Sequence, residues 1–349
     1  MSPPAEFAPV RVGVAGLGRA GMFHVERIGL RDDCRLVALY DDCPAVRKRA
    51  ASEAELLHGD WNAFLADRDV ELVLLATPPA LHAELAIAAL AAGKHVLVET
   101  PLGLNRAEAD AVIAASRRAG RSVSVAHTRR WDDDYRTASM LLMSGELGRP
   151  LAMKLVNWHY NPPSLRESVP SGRLADAVAD DDGLSPVDWR RHAASGGGAL
   201  WEFGVHYFDQ LLQMAGASPL AVYARLFPSS AEPADDGFLA VVTFPGGLTA
   251  HIEVHRASVA PLSTGWTIVG EGGSYANFTQ FTATPAGEVV DVPLSPRSGT
   301  SDEFYGLLAR HLRLGEPLPV PAQQARAVIT LIEAVRQSAT SGHALQIDA

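Results

Sequence analysis

The hexapeptide Gly16-Leu17-Gly18-Arg19-Ala20-Gly21 constrains this chain more than any other feature. It sits between a short apolar run, Val12 to Ala15, and a helix-like stretch that reaches Ile28. A GxGxxG in that setting demands a strand, a tight turn and a helix N-terminus. The first glycine permits the turn, the second lets a pyrophosphate approach backbone N–H groups, and the third lets helix and strand pack closely. The helix end adds roughly half a positive charge towards the phosphates. Asp41 closes the next strand-like segment, Arg35 to Tyr40, twenty positions beyond Gly21 (41 − 21 = 20). A carboxylate there accepts from the adenosine ribose hydroxyls and repels a 2′-phosphate, so NAD is expected over NADP. Arg47 and Arg49 lie near enough to soften that preference.

The alternation continues past the hexapeptide. Strand-like Val70 to Ala76, His95 to Val98 and Ser122 to Ala126 follow helix-like Ala45 to Leu57, Ala80 to Ala92 and Ala107 to Ala119. Apolar strands that do not alternate with polar residues imply a parallel sheet covered on both faces. Beyond about His127 the rhythm breaks. A helix from Tyr135 to Ser144 and a strand from Leu151 to Trp158 precede an irregular stretch, Asn161 to Ser195, rich in Pro, Gly, Asp and Ser. A helix-like block, Ala199 to Ala215, then leads to five strands separated by turn dipeptides such as Pro245-Gly246, which implies antiparallel pairing. Helices at Asp302 to Leu314 and Ala322 to Ser338 follow. The expected organisation is a flexible tail at residues 1–10, an α/β domain at 11–127 and an α+β domain at 128–349.

Charge and composition remove several partner classes. Thirty Lys+Arg against forty Asp+Glu give a net charge of −10 with the two signs interspersed, which disfavours nucleic acid. No apolar run is long enough to span a bilayer, so no membrane partner is expected. The first ten residues lack a basic start followed by an apolar stretch, and a cytoplasmic location is the expectation. Two cysteines, Cys34 and Cys43, cannot build a disulfide framework or a Cys-rich zinc site.

Further segments resemble the Gfo/Idh/MocA oxidoreductase family. Ala76-Thr77-Pro78-Pro79 followed by His82 and Glu84 is similar to its "ATP-x-x-x-H-x-E" segment, and Gly93 to Leu102 to its "GKHVxxEKPL". Arg129-Arg130-Trp131 with Tyr135 resembles its domain-junction motif. Ser195-Gly196-Gly197-Gly198-Ala199-Leu200 leading to Gly204, His206 and Asp209 resembles its "SGGGAL-x-D-x-G-x-H-x-x-D". The resemblance implies an N-terminal Rossmann domain, and a C-terminal domain with a large, mostly antiparallel open sheet that binds substrate and makes homodimers or homotetramers. It implies hydride transfer between NAD and a secondary alcohol or ketone of a sugar, cyclitol or related polyol. Alternatives within it are transient oxidation by bound NAD during glycoside cleavage or elimination, and a non-catalytic NAD-binding regulator. Thr77, Pro78, His82 and Glu99 are implied at the cofactor and His206 at the substrate.

Two departures stand out. Thr100 occupies the family's lysine position, and Glu202 its aspartate position. Threonine is neutral, shorter and has one donor; loss of one preorganised donor costs about 10²–10³ in rate. Hydride leaves a carbinol carbon only as the hydroxyl proton leaves, so a base is needed, and His206 is the candidate. On a helix Glu202 and His206 are i and i+4, so Glu202 is expected to orient the imidazole and raise its pKa. Asp209 is expected on a substrate hydroxyl, and Trp158, His159 and Tyr160 on a sugar ring. Trp189 and Arg190 precede the glycine run and are expected near the nicotinamide. His24 reads as packing. His251, Glu253 and His255 alternate along one strand like a metal triad, but a polar sheet face is the expected reading, and no metal is assigned.

Overall fold

The computed structural model describes residues 7–53, 56–160, 192–228 and 234–347. Trp189, Arg190 and the side chains of His159 and Tyr160 lie outside the described residues. Strand β1 (Val10–Ala15) is buried along almost its whole length, as a strand covered on both faces must be. It lies at the centre of a six-stranded sheet with β2 (Cys34–Tyr40), β3 (Leu56–His58), β4 (Leu72–Leu75), β5 (His95–Val98) and β6 (Val123–Val125). The order is β3-β2-β1-β4-β5-β6 and every pair is parallel. Helices α1 (Arg19–Gly29), α2 (Pro44–Ala50), α3 (Trp61–Ala66), α4 (Pro79–Ala91) and α5 (Arg106–Ala119) connect the strands. Helix α5 shows why such segments stop where they do. Asn105 accepts from the Glu108 N–H at its start, and Gly120 takes a left-handed φ of 60° at its end. The strand order reverses between β1 and β4, and ligands of such sheets bind at the carboxyl ends of the strands beside that reversal.

The second sheet has nine strands in the order β14-β13-β12-β11-β7-β10-β9-β8-β15. They are β7 (Pro150–Tyr160), β8 (Ala221–Pro228), β9 (Asp235–Thr243), β10 (Thr249–His255), β11 (Ala257–Gly270), β12 (Ser274–Ala276), β13 (Thr279–Ala283), β14 (Val289–Pro293) and β15 (Leu345–Gln346). All neighbours are antiparallel except β7 and β10. Helices α6 (Asp133–Ser144), α7 (Val205–Ala215) and α9 (Ala322–Ser341) cover one face, with Leu141, Phe208 and Leu331 in one cluster with Ile252, Val254 and Trp266. Along β10, Ala250, Ile252 and Val254 point into that core, so His251, Glu253 and His255 point out.

Helix α8 (Asp302–Leu314) departs from the expected division of the chain. Phe304, Tyr305 and Leu308 belong to the core of the first sheet, with Val320 and Ala325 beyond them. The chain returns because helix α8 carries a buried stripe at i, i+1, i+4 and i+5 that the second sheet does not cover. Strand β3 and helix α3 were also not anticipated; both are too short, at 3 and 6 residues, to show a period.

Candidate active site

The glycine loop has the shape its spacing demands. Gly16 has φ +87°, and a Cβ on it would lie 2.7 Å from the Ala76 carbonyl carbon at the end of β4. A Cβ on Gly21 would overlap the Gly16 carbonyl oxygen, whereas one on Gly18 would meet only open space. That opening over the start of helix α1 is where a pyrophosphate fits. Leu17 is buried, Arg19 is exposed and Ala20 half-buried on the first turn. Asp41 closes the far side: its Oδ2 accepts from the Leu17 N–H at 2.8 Å and its Oδ1 from the Cys43 N–H at 2.9 Å. Burial pushes its carboxyl up, and those two N–H groups only partly offset this. Arg47 gives Nη1 to the carbonyls of Asp41 and Asp42 at 2.7 and 2.9 Å, so it is engaged with the loop itself. Across the loop, Thr77 Oγ1 is buried without a hydrogen-bond partner, and Pro78 is exposed at the start of helix α4. A free hydroxyl, an open glycine and a closing carboxylate fit a dinucleotide.

The loops after β4 and β5 are clamped together by His82, which is 1% exposed. Its Nδ1 faces the Pro101 carbonyl oxygen at 2.7 Å and its Nε2 that of Thr77 at 2.8 Å. His82 was expected to line the cofactor; instead it shapes the crevice through these two loops. Beside it, Glu99 Oε2 accepts from the Thr100 N–H at 2.8 Å, and Oε1 accepts from His24 Nε2 at 2.7 Å. Burial opposes the charge on Glu99, but His24 and the Thr100 N–H outweigh it and hold the carboxyl at about 2. The reading of His24 as packing is therefore too weak: it is the partner of Glu99.

His206 enters this group from the second domain. It is half-buried, its ring lies 6.0 Å from that of His127 at the end of β6, and its Nδ1 has no partner. Burial, then the Arg129 guanidinium and His127, push its pKa down to about 3, against the carboxylates of Glu99 and Asp209. The imidazole is thus uncharged at neutral pH and able to accept a proton. The same shift has a cost on acidification. His206 and His95 are held at about 3 and about 4, below the ordinary 6.5. Below pH 6.5 the unfolded chain takes up protons that the native state refuses, so stability falls as pH falls. Each contributes roughly 1 kcal/mol by about pH 5.5. The Tm is expected to drop by several degrees between about pH 7.5 and 5.5; a flat or rising Tm would contradict these environments.

Residues 10–127 match the Gfo/Idh/MocA oxidoreductase family with its NAD-binding Rossmann fold, and residues 135–276 match the family's C-terminal domain. The chain belongs to the Gfo/Idh/MocA family. It is similar to the scyllo-inositol 2-dehydrogenase (NADP(+)) IolW of Bacillus subtilis, 25% identical across 97% of this chain and 96% of that protein. It is also similar to the myo-inositol 2-dehydrogenase of Thermotoga maritima, 28% identical across 62% of this chain and 58% of that protein. A solved NAD-binding protein from Listeria innocua superimposes with a TM-score of 0.84 at 25% identity, covering 97% of this chain and 98% of its own. The WlbA dehydrogenase of Bordetella pertussis, solved with NADH and UDP-GlcNAcA, shares the fold with a TM-score of 0.79 at 20% identity, covering 98% and 99%.

Within this Gfo/Idh/MocA site three expectations need correction. Glu202 does not orient His206. It lies in a π-helical turn, Leu200–Gly204, whose wider winding breaks the i, i+4 alignment, and its exposed carboxylate pairs with Arg256 at 3.2 Å. Asp209 is not free to take a substrate hydroxyl. It is 1% exposed, and Arg130 holds it with Nε to Oδ2 at 2.7 Å and Nη2 to Oδ1 at 2.6 Å. Burial opposes its charge, yet His127 and Arg130 keep its carboxyl below the usual range. Asp209 therefore braces the His127–His206 end. Trp158 pairs with His255 in register and its ring meets that imidazole at 5.6 Å, so it lies on the outer sheet face, away from His206. Its neighbour Asn157 takes the inner face and donates to the Tyr207 hydroxyl. Alternation was the signal that could have assigned them. Asp134 accepts from the Trp266 N–H at 2.7 Å and the Tyr275 hydroxyl at 2.8 Å, tying helix α6 to the sheet. Thr100 sits half-buried beside Glu99, where the family's lysine would stand.

Among the described residues no helix is long and apolar enough to cross a membrane, and no cluster could hold a metal ion.

Proposed function

We propose that this chain is an NAD-dependent oxidoreductase that moves a hydride between the nicotinamide ring and a secondary alcohol or ketone of a cyclitol or sugar. The observation that carries this reading is an uncharged imidazole, His206, standing at the strand ends that also form the dinucleotide cradle. Held by the open Gly18 backbone, the Thr77 hydroxyl and Asp41, a bound nicotinamide would supply the hydride acceptor for the carbinol carbon. The hydroxyl proton goes to an imidazole nitrogen of His206, and the carbonyl forms as both leave. The carboxylates of Glu99 and Asp209 stabilise the imidazolium that results. Arg130 and His127 keep Asp209 charged for that purpose.

Asp41 supports NAD over NADP, because a carboxylate fixed at the end of β2 repels a 2′-phosphate and Arg47 is already engaged. The inositol dehydrogenases among the relatives support a cyclitol as the substrate class. Purified protein offered a panel of cyclitols and sugars with NAD or NADP is expected to generate reduced nicotinamide faster with NAD. Absence of binding to either dinucleotide would sink the proposal.

Thr100 supports a second reading, in which held NAD oxidises a sugar transiently and then returns the hydride. Thr100→Lys tests the difference. If the threonine is simply a lost donor, the lysine is expected to raise the dehydrogenation rate by about tenfold or more. An unchanged rate, with product formed and no net NADH, favours the second reading. We also place a homodimer or homotetramer on the outer face of the nine-stranded sheet. There Leu262 and Val269 of β11 are exposed alongside Trp158. Light scattering on the purified protein reads the subunit number directly.

A further inference from the structure

One buried group has no part in the proton step described above. His24, on helix α1, is 1% exposed and engaged at both ring nitrogens. Nε2 meets Glu99 Oε1 at 2.7 Å and Nδ1 meets the Tyr305 hydroxyl at 2.6 Å. Tyr305 is 2% exposed and comes from helix α8, more than two hundred residues away in sequence. A carboxylate only accepts, so Nε2 carries a proton. Nδ1 can then accept, and the tyrosine hydroxyl donates to it. The chain Tyr305–His24–Glu99–Thr100 N–H thus leaves every polar atom named here with a partner.

We infer that Tyr305 and His24 are positioning residues: they hold Glu99 in one orientation, as a carboxylate, against His206. This rests on the proposed role of His206. The groups that face Glu99 come from five elements. They are His24 of α1, His82 of α4, His127 after β6, His206 of α7 and Tyr305 of α8. Of these, only His24 hydrogen-bonds the carboxylate through a side chain among the described residues. Around Tyr305 stand Asp302, Cys34 and Arg27, with the Arg31 guanidinium 5.6 Å over its ring. Burial and the neighbouring carboxylates push the tyrosine pKa up, which keeps its hydroxyl a donor. Without His24, burial is the dominant influence on Glu99 and drives its carboxyl upwards.

The test compares His24→Leu, His24→Gln and Tyr305→Phe in the full chain. The readouts are the pH profile of kcat and the carboxyl titration of Glu99 by carbon NMR, assigned by its loss in Glu99→Gln. In His24→Leu the acid limb is expected to rise by about one pH unit or more, a tenfold loss of rate at a fixed pH on that limb. His24→Gln, which keeps an amide donor, should bring the limb back towards wild type, and Tyr305→Phe should shift it part of the way. Equal loss at every pH, with an unmoved Glu99 carboxyl in all variants, would overturn the inference. If His24→Leu does not fold, His24→Gln and Tyr305→Phe decide, by the same two readouts. A wild type without turnover whose Glu99 carboxyl still rises in the variants would keep the relay and remove the proposed function of His206.

Discussion

Replacing His206 with asparagine is expected to lower kcat for alcohol oxidation by about 10²–10⁴-fold while NADH affinity barely changes. On the proposed reading this uncharged imidazole is the base, and neither carboxylate of its motif is free to replace it. Asp209 is locked by Arg130, and the exposed Glu202 carboxylate is paired with the buried Arg256. Asparagine keeps a polar group of similar size but accepts no proton near neutrality. Steady-state rates alongside NADH fluorescence titration separate chemistry from binding. A kcat within tenfold of wild type would place the base elsewhere.

The second large effect separates two glycines three positions apart, Gly18 and Gly21. In Gly21→Ala the added methyl overlaps the Gly16 carbonyl oxygen, so the helix must move off the sheet. A loss of about 3 kcal/mol or more in unfolding free energy is expected. In Gly18→Ala the methyl meets open space at a backbone φ of −70° that alanine adopts freely. Stability should hold, but the methyl stands where phosphate must approach. NADH binding should weaken more than tenfold, which is about 1.4 kcal/mol. Equal effects at both positions, on melting and on affinity, would mean the loop does not cradle a dinucleotide.

These residues also show what one sequence could and could not reveal. The cradle was legible because each glycine answers a local geometric demand, and Asp41 falls where a fixed strand length must place it. His206 was singled out by its motif, and its ring stands 6.0 Å from that of His127. Its electrostatics were not: a helical wheel put Glu202 on its face, and a π turn moved it off. Asp209 looked like a substrate ligand because nothing local announces Arg130, which lies 79 residues earlier. Tyr305 and His24 are 281 residues apart, and no spacing rule spans that distance. Trp158 and Asn157 were within reach, since period-two alternation along β7 assigns one to each face. What periodicity and turn chemistry specify was readable; what long-range packing specifies was not.

Phe304, Tyr305, Leu308 and Val320 complete the core around β1. During synthesis the first three hundred residues leave the ribosome before that hydrophobic seam can shut. A fragment cut after residue 127 would present the seam to water, so the nucleotide half is not a separable cassette. Fusion or splitting of this protein should respect a unit stitched from residues 10–126 and 304–329.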